Sequence, residues 1–166
     1  MYLASFLLLL SAMNTETPVL AHVRNSFSLT VHTNAKDAAA LFGPEGERPW
    51  SGPEWNPQFL YPIPAKDVEG AVFTVTHGSH ASTWVNTRFD VTAGHLQYVV
   101  FIPDAMVTTI NVDLTAVGLS ETKVVVIYER TALSPQANEH IESLGKRDAA
   151  MGPEWEDAIR KYLGKK

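Results

Sequence analysis

The chain is 166 residues long, which fits one domain, and 45% of those residues are apolar, enough for a sizeable core. Its 13 basic and 18 acidic side chains leave a formal net charge of -5 without any long basic run, which argues against a nucleic-acid or anionic-membrane surface. The absence of cysteine excludes disulfides, thiol catalysis and thiolate metal sites.

Leu3 to Leu10 is an apolar run, too short for the roughly 20 residues that a helix needs to cross a bilayer. It reads either as a secretory signal with cleavage after Ala21, at Val19-Leu20-Ala21, or as an extension ahead of an ordinary start at Met13. No positive side chain precedes the run, and the polar interval from Asn14 to Thr17 lengthens the cleavage region, so the second reading is preferred. Residues 1–22 are therefore set apart as an N-terminal extension or signal peptide, and 23–166 as a single domain. The expected location is cytoplasmic, with a secreted or periplasmic one as the alternative.

From Arg24 to His32, Phe27, Leu29 and Val31 alternate with Ser26, Ser28 and Thr30, as a strand with one buried face requires. Asn34 is placed to cap a short helix, Ala35 to Phe42, which Gly43-Pro44 ends. The segment Glu45 to Pro57 is too rich in Gly and Pro for long regular structure. Its two large indoles, Trp50 and Trp55, demand packing, so it reads as an ordered cap or a turn of helix. Phe59 to Pro62 is a short edge strand between prolines.

Ala71 to His77 and His80 to Asp90 form a hairpin about Gly78-Ser79. His95 to Ile102, Met106 to Thr115 and Thr122 to Thr131 continue an antiparallel meander. The last thirty residues are helical. Ser134-Pro135 opens them, and Ala137, Ile141, Leu144, Met151, Trp155, Ile159 and Tyr162 recur on one face. Gly145 and Gly152-Pro153 divide this stretch into Ser134 to Leu144 and roughly Lys146 to Leu163, the second part strained at Pro153. The order predicts an α+β fold with helices on one face of an antiparallel sheet.

Phe27-Ser28-Leu29-Thr30-Val31, Leu41-Phe42-Gly43-Pro44-Glu45-Gly46-Glu47, Trp55-Asn56-Pro57, Thr83-Trp84-Val85, Tyr128-Glu129-Arg130-Thr131-Ala132-Leu133-Ser134 and Glu154-Trp155-Glu156 carry a further signal. Over Ser26 to Leu163 the chain resembles the START-like (SRPBCC) superfamily, especially uncharacterised bacterial members. Pathogenesis-related allergens, polyketide cyclases and lipid-transfer START domains also belong there. The resemblance implies a helix-grip fold: a curved antiparallel sheet of about six to seven strands wrapped around a long C-terminal helix, with two short helices after the first strand. It also implies an apolar cavity between sheet and helix that takes a hydrophobic or amphipathic small molecule. The alternatives are a cyclase- or hydrolase-type enzyme acting in the same cavity and a filled structural or interaction domain without a ligand.

Strand alternation and helix periodicity put Trp55, Trp84, Asn86, Arg88, Tyr98, Tyr128, Met151, Trp155 and Ile159 forward as ligand-binding residues. Arg88 with Asn86 or Tyr98 suits recognition of a carboxylate or carbonyl; the competing reading turns Arg88 to solvent or pairs it with Asp90 or Glu129. Glu45, Glu47 and Glu54 are acid–base candidates at a cavity mouth, against a plainer role capping helices or holding Arg48. His77 and His80 flank the hairpin turn without a third ligand, and Glu139-His140 lacks the HExxH order, so no metal is expected. No nucleophile elbow, P-loop or dinucleotide fingerprint occurs, and neither a catalytic residue nor a cofactor is assigned.

Overall fold

The computed structural model describes residues 18–78 and 80–164. The apolar run at 3–10, the Met13 start, Ser79 of the hairpin turn and the Lys165-Lys166 tail lie outside the described residues. Seven strands form one sheet: β1 (His22–Val31), β2 (Gln58–Tyr61), β3 (Val72–His77), β4 (His80–Asp90), β5 (His95–Ile102), β6 (Met106–Gly118) and β7 (Glu121–Ala132). Their order is β1-β7-β6-β5-β4-β3-β2, antiparallel throughout. Six strands follow each other as a meander, and β1 returns to the far edge beside β7. Such neighbour-to-neighbour pairing follows from short turns between strongly alternating segments.

Between β1 and β2 lie α1 (Ala35–Ala40) and α2 (Pro44–Glu47). Asn34 caps α1 as expected, its side chain accepting from the Asp37 N–H at 3.0 Å. Trp50 and Trp55 hold the following segment by donating their indole N–H groups to the carbonyls of Leu41 (2.8 Å) and Pro44 (2.9 Å). After β7, a single 3-10 turn (Pro135–Ala137) leads into α3 (Asn138–Asp148) and then α4 (Gly152–Leu163). Ser134 does not cap this start: its hydroxyl donates to the Asp104 carbonyl at 2.7 Å instead.

The gripped element is therefore two helices, and their break falls between Asp148 and Gly152 rather than at Gly145. Pro153 lies in the first turn of α4, where its missing N–H deprives the helix of no hydrogen bond, so the expected strain does not arise. Both glycines instead allow close approach to β1. A Cβ on Gly145 would run into the Asn25 side chain, and one on Gly152 would stand 2.7 Å from the Ser28 carbonyl oxygen. Gly152→Ala should therefore destabilise the protein by about 1–3 kcal/mol through overpacking. Gly118→Ala is the control, because its Cβ would meet only the Glu121 Cβ at 3.9 Å. Denaturant midpoints of the two variants check this; equal stabilities would show that α4 can shift off β1 without cost.

The inner face of the sheet is built by alternation: Phe27, Leu29 and Val31; Val124 and Val126; Ile110, Val112 and Leu114; Leu96 and Val100; Phe73 and Val75 are all buried. α1 covers β6 and β7, α3 covers β1 and β7, and α4 lies on β1. Met151, Trp155, Tyr162 and the sealed Ile159 turn the apolar face of the terminal segment toward the main core. A smaller cluster, Met106, Ala132, Ala137 and Ile141, lies under α3.

Candidate functional site

Strand register assembles one row across the concave face. Asn86 on β4 stands opposite Tyr98 on β5, Tyr98 opposite Ile110 on β6, and Ile110 opposite Tyr128 on β7. In β1 the same row ends at Asn25. Four polar side chains of different strands, Asn86, Tyr98, Tyr128 and Asn25, are thus drawn into line within an otherwise apolar surface. Asn86 is completely buried; its Nδ2 donates to the Val68 carbonyl at 3.0 Å, and its Oδ1 has no hydrogen-bond partner. A buried acceptor left in this way costs about 1–3 kcal/mol.

The row stops short of Arg88. The pairing of β4 with β5 shifts between Asn86 and Arg88, so Thr87 is an extra residue and the alternation reverses. Phe89 packs on the core in its place, and Arg88 is exposed on the outer side. The expectation that Arg88 faces the helices with Trp84 and Asn86 is corrected: one inserted residue moves every later side chain to the other face.

α2 closes over this row. Asp67 accepts the N–H groups of Glu45 (2.8 Å) and Gly46 (3.0 Å), while the neighbouring Val68 takes the Asn86 amide. Tyr98 donates its hydroxyl to the Phe42 carbonyl at 2.6 Å, just ahead of α2. Three tethers thus hold α2 above β4 and β5. Of the three glutamates considered from sequence, Glu45 holds Arg48 at 2.7 Å and Glu54 is exposed.

Glu47 is the one directed inward. As a residue it is half-buried, yet its carboxyl is deep enough that burial, and secondarily the nearby Asp67, pushes its pKa well above the usual range. It also acts electrostatically on Tyr98 and Tyr128, whose hydroxyls burial raises further still. Asp67 is raised by burial too, although the two amides that it accepts pull it back.

The Glu47 shift has a sign that can be measured. Its folded-state pKa lies above the unfolded value, so its contribution to stability is full below the ordinary carboxylate range and is lost as pH rises through the raised value. Relative to Glu47→Gln, the wild-type protein should therefore lose stability as pH rises above the ordinary carboxylate range. Parallel stability–pH curves for the two proteins would contradict the buried carboxyl.

Two aromatic groups wall the row. On one side Trp55 meets Trp84 (5.2 Å between ring centroids) and Phe73 (6.2 Å), Phe73 stacks on Phe59 and Trp84, and Trp84 reaches Tyr98 at 6.3 Å. On the other, Trp155 meets Phe27 (5.2 Å), Trp50 (5.3 Å) and Phe42 (6.3 Å), and Phe27 stacks on Tyr128. Trp55, Trp84 and Trp155 are each half-buried although they point inward. A depression of about 350 Å³ between Pro49-Trp50 and α4 reaches Trp50 from outside; it does not include Glu47, Tyr98 or Asn86.

Beyond Tyr128 the inner face ends in a buried ion pair. The Arg130 guanidinium, 4.4 Å above the Tyr128 ring, binds both carboxylate oxygens of Asp148 at the end of α3. Burial pushes the Asp148 carboxyl up, and the guanidinium partly reverses this.

Eight of the nine sequence-derived residues thus lie on the concave side. Trp55, Trp84, Asn86 and Tyr98 stand at one end, with Tyr128, Met151, Trp155 and Ile159 at the other. Strand alternation also turns Arg130 to this face, whereas Asp67 and Asp148 carry no sequence signal: Asp67 acts on amides about twenty residues away and Asp148 on a strand ahead of its helix, so no local spacing announces either. His77 and His80 face each other across the hairpin, and no group of three metal-ligating side chains occurs among the described residues.

No protein-family model matches the sequence, and no curated protein matches it. Solved structures do. Norcoclaurine synthase from Thalictrum flavum is 14% identical with a TM-score of 0.63, covering 96% of this chain and 98% of that one. Its complex with dopamine and hydroxybenzaldehyde superposes equally well (TM-score 0.63, 13% identity, 98% of each chain). A protein from Thermobifida fusca is 18% identical with a TM-score of 0.58, over 84% of this chain and 92% of its own. At such identities the likeness concerns fold, and it agrees with the seven-stranded sheet and the helices that it encloses. The chain has a helix-grip fold, as these solved structures do.

Proposed function

We propose that the chain binds a hydrophobic or amphipathic small molecule between the concave sheet and α2 and α4. The observation that carries this reading is the row Asn86, Tyr98 and Tyr128, set between aromatic walls whose inward-pointing tryptophans keep accessible surface. A few fixed polar groups within an apolar lining are how small-molecule sites orient an occupant. Burial of the apolar body adds roughly 25 cal/mol per Å². The solved complex of norcoclaurine synthase with dopamine and hydroxybenzaldehyde supports the same use of this fold.

The test is titration with the neutral fluorophore N-phenyl-1-naphthylamine, alongside native mass spectrometry of gently purified protein. Saturable uptake at one site, lost in a Trp84→Arg variant that remains folded, is the expected result. Protein that is always empty and takes up no fluorophore would refute the container and favour a filled structural domain.

A second reading, an enzyme of the cyclase or hydrolase kind, rests on Glu47. A carboxyl whose pKa burial raises, close to tyrosine hydroxyls, suits general acid catalysis. In that case Glu47→Gln would abolish turnover of a substrate while leaving fluorophore uptake unchanged.

A further inference from the structure

We propose that the site's preferred occupant is a cation: an amphipathic amine whose ammonium sits between Glu47 and Asn86 Oδ1, with its apolar body against Tyr98 and Trp84. This rests on the container reading above and adds to it a sign of charge.

The argument is an inventory of what the site offers. Asn86 is held by three hydrogen bonds: its Nδ2 donates to Val68 O (3.0 Å), its backbone N–H donates to Ala71 O (2.8 Å), and its carbonyl accepts from Gly70 N–H (2.7 Å). The Nδ2 bond to Val68 fixes which way the amide points, so the side chain's other end is an acceptor, and among the described residues it is a fully buried atom without a partner. Tyr98 spends its proton on Phe42 O, so its oxygen too can only accept from an occupant. Glu47 adds two more acceptor oxygens once an ammonium displaces its proton.

Of the cations nearby, Arg48 donates to Glu45, Asn56 and Pro57, Arg130 is bound to Asp148, and Arg147 is exposed on α3. The charge that acts on Glu47 is another carboxylate, Asp67, whose oxygens are taken by the amides of α2. An anionic occupant would therefore meet two carboxylates and a set of acceptors. An ammonium would bring three donors to those acceptors, and the adjoining Tyr98 and Trp84 rings would add cation–π attraction.

Proton linkage follows from the same geometry. Asp67, Tyr98 and Tyr128 are the groups that interact with Glu47; Asp67 in turn feels Glu45 and Arg48, and Tyr128 feels Asp148, Arg130 and Arg147. Burial holds both tyrosines neutral in the pH range of interest. A bound ammonium favours ionised Glu47, so in the pH range where Glu47 carries its proton amine binding should release it, whereas binding of an uncharged analogue should not.

The experiment compares three probes of matched shape on the full chain by calorimetry: 2-(1-naphthyl)ethylamine, 2-(1-naphthyl)ethanol and 1-naphthylacetate. The amine should bind about tenfold or more tightly than the alcohol, and the acetate most weakly. Glu47→Gln should bring amine and alcohol to within about threefold of each other. In the wild-type protein, repeating the amine titration in buffers of different ionisation enthalpy should show proton release, a readout that needs no variant to fold. Alcohol or acetate binding as tightly as the amine, an amine preference that survives Glu47→Gln, or amine binding without proton release would each overturn the cation assignment and leave the container standing. Binding of none of the three would overturn the container itself, and this assignment with it.

Discussion

Replacing Asp148 with Ala should lower stability by about 3–5 kcal/mol, the usual cost of stranding one member of a buried ion pair. Arg130 is 7% exposed and Asp148 1% exposed, so neither charge can turn to water once its partner is gone. The cost is compounded by position. Asp148 is the last residue of α3, where the partial negative charge of the helix end opposes a carboxylate, and the Arg130 guanidinium counters both. Since a domain of this kind has only about 5–15 kcal/mol in hand, Asp148→Ala should unfold at a much lower denaturant concentration. The double variant Arg130→Met with Asp148→Leu should recover most of the loss, because it removes both desolvation penalties together. A single variant within about 1 kcal/mol of wild type would show that the pair is open to solvent.

Phe42→Ala should cost about 3–5 kcal/mol, as large-to-small changes at sealed aromatic positions do. Phe42 is completely buried between the first and last parts of the chain: its ring meets Trp50 (6.0 Å) and Trp155 (6.3 Å), and its carbonyl accepts the Tyr98 hydroxyl. It is the point at which the α1–α2 segment, α4 and the sheet touch one another. A double-mutant cycle with Trp155→Ala should give a coupling of about 0.5–1.5 kcal/mol, the range for aromatic pairs beyond their burial. Equilibrium denaturation checks both figures. A small loss with no coupling would mean that α4 closes over the gap.

The residues that line the concave face were largely readable in advance, because each rests on a local period. Trp84, Tyr98 and Tyr128 follow from alternation, and Trp155 and Ile159 from helical spacing, so nothing distant is needed to decide which way they point. Arg88 failed for an instructive reason. Its direction depends on the count of residues since the last paired position, and the extra Thr87 changes that count by one. The break of the C-terminal helix was also misplaced. Gly145 was read as a helix breaker, whereas inside α3 it spares a collision with Asn25, a contact between positions 120 residues apart.

By itself the sequence determined the class of fold, the antiparallel meander, the two short helices and the apolar face of the terminal segment. All of these arise from patterns that repeat over a few residues and are enforced by burial of one face. Only the tertiary structure decided which polar groups meet. The Asn86–Tyr98–Tyr128 row comes from register between strands, the position of Glu47 from the way Asp67 and Tyr98 anchor α2, and the meeting of Arg130 with Asp148 from helix packing on the sheet. Those contacts join distant stretches of chain, and the low dielectric of the interior makes each of them matter, so no local period announces them.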